Sequence, residues 1–363
     1  MKRRDFVRRT AVGGTAGAML VGCDKEAAAP NVQTRKKITW DLASSFPPAL
    51  DTIHGAATVM SERIKELTGG NFVIKVNDPG IIAPGTEVLS AVREGAASMG
   101  HTAGYYYIGL NPTLAFDTSV PFGLNARQQA SWMLSAGGME LMREVYGEYG
   151  IVNFPGGNTG TQMGGWFQKE ITQLSDLTNL RMRIPGLGGK VMSALGVNVQ
   201  NLAGGEVLDA LQKKVIDAAE WVGPYDDLKL GFNRVAKFYY YPGWWEPGPA
   251  LTFLVNQRQY EKLPADYQAA LGAACSEAAF RMMADYDAKN PAALKTLLES
   301  GVELRSYPED VMQAASEKIA ENLAEEAGSS PQFKKVYEHW DAYKNASSEW
   351  FNLAERAFSN FNA

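Results

Sequence analysis

The chain has 363 residues, 45% of them apolar, with 35 basic and 40 acidic side chains and a formal net charge of −5. Five of the basic and one of the acidic residues lie in residues 1–22, so the remainder stands at −9, which argues against nucleic acid or an anionic membrane surface as partner. Two cysteines and three scattered histidines (His54, His101, His339) supply neither a thiolate cluster nor a histidine metal centre, and the length suits two domains.

The N-terminal segment reads as an address. Lys2-Arg3-Arg4-Asp5-Phe6-Val7 has the form of a twin-arginine export signal, and an apolar run from Ala11 to Val21 follows it. That run is too short to span a bilayer of about 30 Å. Leu20-Val21-Gly22-Cys23 has the form of a lipoprotein cleavage box, so residues 1–22 are expected to be removed, Cys23 lipidated, and residues 23–36 left as a tether. The expected location is the periplasm, anchored to a membrane by lipid alone.

Beyond the tether, Lys37–Ala43 alternates like a strand, Asp51–Leu67 has helical spacing, and Phe72–Val76 is a second strand. Val88–Gly95 reads as a helix and Met99–Ala103 as a strand. This β-α-β-α-β order predicts a largely parallel sheet covered by helices. A second region repeats the pattern: strands at Ile151–Phe154, Leu180–Ile184 and Ala218–Val222, helices at Gly188–Leu195 and Gly205–Lys213, then an extended Leu251–Val255. From Pro264 the chain is mostly helical. Cys275 lies in an alanine-rich helical run and is expected to be a buried, inert thiol. The expected class is α/β, with two lobes around a ligand cleft and a long C-terminal helical segment. Residues 37–154 form lobe I, completed by part of 251–330. Residues 155–250 form lobe II, 251–330 supply interlobe and lobe-completing helices, and 331–363 form a C-terminal helix.

That last helix carries Phe333, Tyr337, Trp340, Tyr343, Trp350, Phe351, Ala354, Phe358 and Phe361 at steps near three and four. The stripe either packs on its own domain or docks on a second copy of the chain.

Four clusters depart from ordinary scaffold. Pro155–Trp166 is glycine-rich after a strand, with Asn158 and Gln162 offering amide groups. It lacks the lysine of a phosphate loop and could equally be a flexible turn. In Arg181-Met182-Arg183 both arginines share a strand face, either as solvated edge residues or with one forking a ligand carboxylate. Asp217–Asp227 and Tyr239–Gly248 each place a glutamate, Glu220 or Glu246, beside tryptophan and glycine. There a carboxylate is costly to ionise unless a cation or donor meets it.

At these clusters the sequence resembles the solute-binding proteins of TRAP (tripartite ATP-independent periplasmic) transporters, the DctP family, and within it the α-keto-acid-binding branch. The likeness also includes Leu42-Ala43-Ser44-Ser45-Phe46-Pro47 and Gly104-Tyr105-Tyr106-Tyr107, and it runs through nearly the whole chain after the tether. It implies the two-lobed periplasmic solute-binding-protein fold, closing on a 2-oxo monocarboxylate such as pyruvate and handing it to the TRAP membrane subunits. It implies that Arg183 pairs with the substrate carboxylate, helped by Asn158, and that Tyr105 and Tyr106 line lobe I's face of the cleft. It further implies a cation held by Gln162, Glu220, the Trp221 main-chain carbonyl and Glu246, with Trp221 and Glu246 also beside the substrate. A homodimer through the C-terminal helix is implied as well. One departure is Ile184-Pro185-Gly186-Leu187-Gly188-Gly189, more proline-bound than the family pattern, which bears on lobe closure and pocket volume.

An all-oxygen donor set selects a hard ion. Sodium is favoured; calcium, with lactate or another 2-hydroxy acid, is the alternative. The rival class is an exported hydrolase using Glu220 and Glu246 as an acid/base pair on sugars stacked against tryptophan. No flavin, haem or iron–sulfur motif accompanies it. A purely structural lipoprotein is the third class.

Overall fold

Two mixed sheets organise residues 36–362, the portion described by the computed structural model. The twin-arginine motif, the cleavage box, Cys23 and most of the tether lie outside the described residues. In chain order the strands are β1 (Ile38–Ser44), β2 (Phe72–Asn77), β3 (Met99–Thr102), β4 (Ile151–Asn158), β5 (Trp166–Phe167), β6 (Arg181–Arg183), β7 (Asn198–Gln200), β8 (Ala218–Ala219), β9 (Phe238–Tyr241), β10 (Ala250–Asn256) and β11 (Glu303–Ser306). One sheet has the order β2-β1-β3-β10-β4 and the other β11-β9-β5-β8-β6-β7.

The expected parallel sheet is found only in part. β1 runs parallel to β2 and β3, but β10 is antiparallel to both β3 and β4. The cause is topological: β4 carries the chain out of the first sheet and β10 brings it back alongside, so the two must run in opposite senses. The glycine-rich segment also differs from expectation, because β4 continues through Gly156 and Gly157 to Asn158 rather than ending at Phe154. The 251–330 stretch serves both sheets, with β10 in the first and β11 paired to β9 in the second.

Side-chain periodicity explains the local structure. On β1, Trp40 and Leu42 are buried while Thr39 and Asp41 are exposed, the alternation of a strand covered on one face. The helix Gly55–Leu67 buries Ala56, Ala57, Met60 and Ile64, and Met60 and Ile64 each complete about 2 kcal/mol of apolar transfer. A helix from Ala265 to Glu299 spans the two sheets. Its first half packs on β4 and on the Gly55–Leu67 helix, and its second half on the helix Pro224–Leu230. Its buried positions, Tyr267, Leu271, Cys275, Ala278, Met282 and Tyr286, recur at three or four residues. Burial pushes the Cys275 thiol well above its ordinary value, leaving it a packing residue.

The segments that cross between the sheets, 158–162 and 246–250, are laced together. Asn158 Nδ2 donates to the Gly248 carbonyl at 3.0 Å, the Thr159 amide to Pro249 at 3.2 Å, Thr161 Oγ1 to Pro247 at 2.8 Å and the Gln162 amide to Glu246 at 3.1 Å. At the outer edge Asp51 accepts a hydrogen bond from Tyr225 Oη at 3.0 Å and pairs with Lys229, joining the loop after β1 to the Pro224–Leu230 helix. The same helix is fixed from beneath: buried Asp227 accepts from Trp166 Nε1 at 2.9 Å and from Tyr239 Oη at 2.6 Å.

The aromatic stripe of the C-terminal helix divides. Ser330 caps the helix Pro331–Phe351, whose Phe333 and Trp340 are buried against Phe116 with ring centroids 5.1 and 5.6 Å apart. Farther along, Trp350 is 61%, Leu353 79% and Phe361 89% exposed.

Candidate ligand and cation site

The partners around β6 separate the two arginines that the sequence left equivalent. Met182 pairs with Val199 and Ala218 and is buried, so Arg181 and Arg183 share the other face. Arg181, at the open end, is held by Asp217 through Nε at 2.9 Å and Nη2 at 2.7 Å, the solvated edge arrangement. Arg183 is 2% exposed. Its Nη1 donates to the Glu220 carbonyl at 3.1 Å and to the Glu220 carboxylate, its Nε donates to the Leu202 carbonyl at 3.2 Å, and its Cζ lies 5.1 Å from the centroid of Trp221.

A small cavity of about 20 Å3 adjoins this pair. Its walls include Tyr105, Tyr106, Thr159, Gln162, Arg183, Glu220 and Trp221. Glu246 lies beside it, with the Tyr105 hydroxyl reaching its carboxyl group and Glu220 as its charged neighbour. Seven of the residues singled out from sequence therefore meet at one place. Asn158 is placed differently: its amide is engaged by the Gly248 carbonyl and, at 2.8 Å, by the Gly160 amide, and it lines a separate apolar pocket behind β4 and β10. Sequence reasoning missed Thr159, whose Oγ1 accepts from Gln162 Nε2 at 3.2 Å and so turns the Gln162 carbonyl oxygen the other way. A hydroxyl three residues before a suspected amide ligand was the available signal.

Two oxygens are conspicuous. Gln162 Oε1 and Glu246 Oε2 are both buried and have no hydrogen-bond partner. Buried acceptors are ordinarily paired, and leaving one unpaired costs on the order of 1–3 kcal/mol. Burial pushes the Glu220 carboxyl up to about 7 against the opposing pull of Arg183. Glu246 is also raised well above its ordinary value, first by burial and then by the adjacent Glu220. Two buried carboxyl groups that share one guanidinium, beside a neutral amide oxygen, fit a hard cation. Among the described residues no three acidic, histidine or cysteine side chains converge, so a centre richer in ionic ligands is not formed. His101 serves packing: it is buried, its Nε2 2.8 Å from the Gly156 carbonyl, with its pKa lowered to about 3 by burial, while His54 pairs with Asp78 and His339 accepts from Trp132 Nε1.

A mixed α/β fold whose two sheets are joined by paired crossing segments, with a polar cavity between them, defines a solute-binding protein. The sequence profile of the bacterial extracellular solute-binding protein family 7 matches residues 43–329, and the chain belongs to that family, the DctP-type solute-binding proteins of TRAP transporters. Its members are extracytoplasmic receptors and not enzymes, which removes the hydrolase reading of Glu220 and Glu246. A relative from Nostoc sp. PCC 7120, a monocarboxylate 2-oxoacid-binding periplasmic protein, is 48% identical over 367 residues, covering 99% of each chain. A TRAP solute-binding protein from Bordetella bronchiseptica RB50, a mixed-occupancy dimer with copurified calcium and picolinate, is 43% identical, with a TM-score of 0.89 over 90% of this chain and 98% of that one. Another from Pseudoalteromonas atlantica T6c, with bound sodium and pyruvate, is 39% identical, with a TM-score of 0.87 over 90% and 99% of the two chains.

Proposed function

We propose that this protein is the extracytoplasmic receptor that binds a short 2-oxo monocarboxylate such as pyruvate, together with a cation, and delivers it to TRAP membrane subunits. The observation that carries this reading is the buried Arg183–Glu220 pair beside two unpartnered acceptor oxygens. An anion and a cation entering together complete four half-satisfied groups at once. Arg183 turns its fork to the substrate carboxylate, and Glu220 joins Gln162, the Trp221 carbonyl and Glu246 around the ion. The substrate supplies a carboxylate and a 2-oxo oxygen to the same ion, while Asn158, held by the Gly248 carbonyl and the Gly160 amide, braces the crossing segment rather than meeting the substrate. The 48% relative's 2-oxo acids and the pyruvate of the Pseudoalteromonas protein support this substrate class.

Two glutamates, one arginine and one monocarboxylate sum to −2 before the metal. Sodium leaves −1 and calcium leaves zero, and similar proteins hold either ion. We favour sodium, with calcium the alternative. Pyruvate with sodium or calcium is expected to raise the thermal unfolding temperature, by an amount equivalent to about 2.7 kcal/mol at a hundredfold excess over Kd. Replacing the metal with choline and adding a chelator should remove the shift. No shift with any short 2-oxo or 2-hydroxy acid in either ion would overturn the assignment.

The twin-arginine motif and Cys23 support export in the folded state and lipid anchoring in the periplasm. The exposed Trp350, Leu353 and Phe361 support a homodimer through the C-terminal helix, as does the dimeric Bordetella relative. Light scattering of the protein is expected to give the mass of a dimer. A Trp350→Glu/Leu353→Glu variant should shift it to monomer with pyruvate binding retained, and an unshifted variant or a monomeric parent would refute this interface.

A further inference from the structure

The binding cavity has an outer neighbour. A broad open groove lies between the turn Gly104–Tyr107, the helix Gly186–Ala194 and the helix Glu309–Ser329, and its apolar lining includes Ile108, Ile184 and Val199. The two spaces share only Tyr105 and Tyr106. The β6 strand passes from one to the other: Arg183 lines the inner cavity, and Ile184, Pro185 and Gly186 line the groove. The two phenol rings are therefore a partition.

We infer that Tyr106 sets the upper limit on substrate chain length by closing the cavity off from the groove. The inference rests on the proposed function and adds the size class of its substrate. Tyr105 is the fixed half of the partition. It is 8% exposed, its hydroxyl is directed at Glu246, and its base abuts Gly186. Gly186 has φ +65°, and a Cβ there would sit 3.1 Å from the Tyr105 Cβ, so the glycine is what lets the helix begin against this ring. This gives the proline-glycine step after Arg183 a physical role. Tyr106 is the removable half. It is partly exposed and lines both the groove and the cavity, where the Arg183 charge acts on its phenol. It stacks edge-on against Tyr105 at 5.0 Å and Tyr107 at 6.5 Å, and Tyr107 is itself held by Thr102 Oγ1 at 2.7 Å. The ring is thus braced along the turn and does not swing freely.

The acid head of a 2-oxo acid is committed to Arg183 and the cation, so its alkyl tail must be accommodated by the remaining walls. A longer tail meets the Tyr106 ring. Truncating that ring joins the cavity to the groove, where Ile108, Ile184 and Val199 offer apolar surface to a tail. Across the groove a Lys190–Glu326 ion pair at 2.6 Å closes the wall between the two helices.

The test compares pyruvate with 2-oxohexanoate by calorimetric titration of the protein in sodium or calcium. The parent should favour pyruvate by about tenfold or more, the scale of discrimination that one or more methylenes provide in a closed pocket. Tyr106→Ala should shift the ratio of the two affinities toward 2-oxohexanoate by about tenfold. Tyr106→Phe should leave the ratio unchanged, whatever its absolute affinities, because the ring remains. Adding Val199→Trp to Tyr106→Ala should obstruct the apolar side of the groove and restore the preference, which mere loosening of the site would not do. An indifferent parent, an unshifted ratio in Tyr106→Ala, or a ratio that Val199→Trp fails to restore overturns the partition while pyruvate binding by the parent keeps the function intact. A parent that binds neither acid overturns the function itself.

Discussion

Arg183→Ala is expected to abolish the thermal shift given by pyruvate and to lower affinity by about two orders of magnitude or more, since truncating one partner of a buried charge pair costs roughly 2–5 kcal/mol. The guanidinium is buried, and its three donated bonds aim it at the cavity rather than at water. The ligand-free variant should also be less stable, because Glu220 keeps its burial and loses its counter-ion. Glu220 then titrates still higher in the folded state than in the unfolded chain. The added instability is therefore small at low pH and grows as the pH rises through neutrality. Arg183→Lys, which keeps the charge without the fork, should recover stability better than affinity. Calorimetry across pH 5 to 8, with and without pyruvate, checks both parts. Unimpaired pyruvate affinity in Arg183→Ala would eliminate the carboxylate clamp.

Glu246→Gln should have opposite effects on stability and function. The amide is nearly isosteric, yet it removes one negative charge from a pair of buried carboxyl groups. A carboxyl whose folded pKa is raised stabilises the fold fully below its unfolded value and loses that contribution as pH rises through the folded one. Relative to the parent, the glutamine variant should therefore gain stability as pH rises above about 4.3, the ordinary glutamate value. Function moves the other way. Losing a charged ligand to the cation should weaken metal-dependent pyruvate binding by about ten- to a hundredfold. Thermal unfolding of the metal-free protein at pH 5 and 8, paired with titrations at fixed sodium, measures the two effects. A variant that loses affinity without gaining stability at pH 8 would mean that Glu246 is not under charge stress in the empty site.

The parts of this site that could be read in advance have a common character. Glu220 and Glu246 stood out because each sits against tryptophan and glycine, a setting in which a carboxylate needs a reason. Arg181 and Arg183 could be placed on one strand face, but the sequence could not say which one Asp217 would occupy, since that pairing depends on β6 lying beside β8. Strands β5 and β8 have two residues each, too few for any alternation to register. β10 was visible as an apolar run, yet its direction is decided by the chain's return from the second sheet and not by composition. The helix Ala126–Ser135 went unread although Asn125 and Gln128 form a reciprocal capping box, a pattern available in the sequence. The C-terminal stripe was half understood: Phe333 and Trp340 find partners within the chain, whereas Trp350 and Leu353 continue the same period into solvent.

The laced segments 158–162 and 246–250 have a mechanical consequence. Gln162 and Glu246 stand at the far end of this ribbon, four residues from the points where β4 and β10 leave the first sheet. An ion gripped by both side chains would act as a rivet through the two segments, tying them together where they leave the first sheet. Cargo recognition and the joining of the two sheets would then share a single fastening.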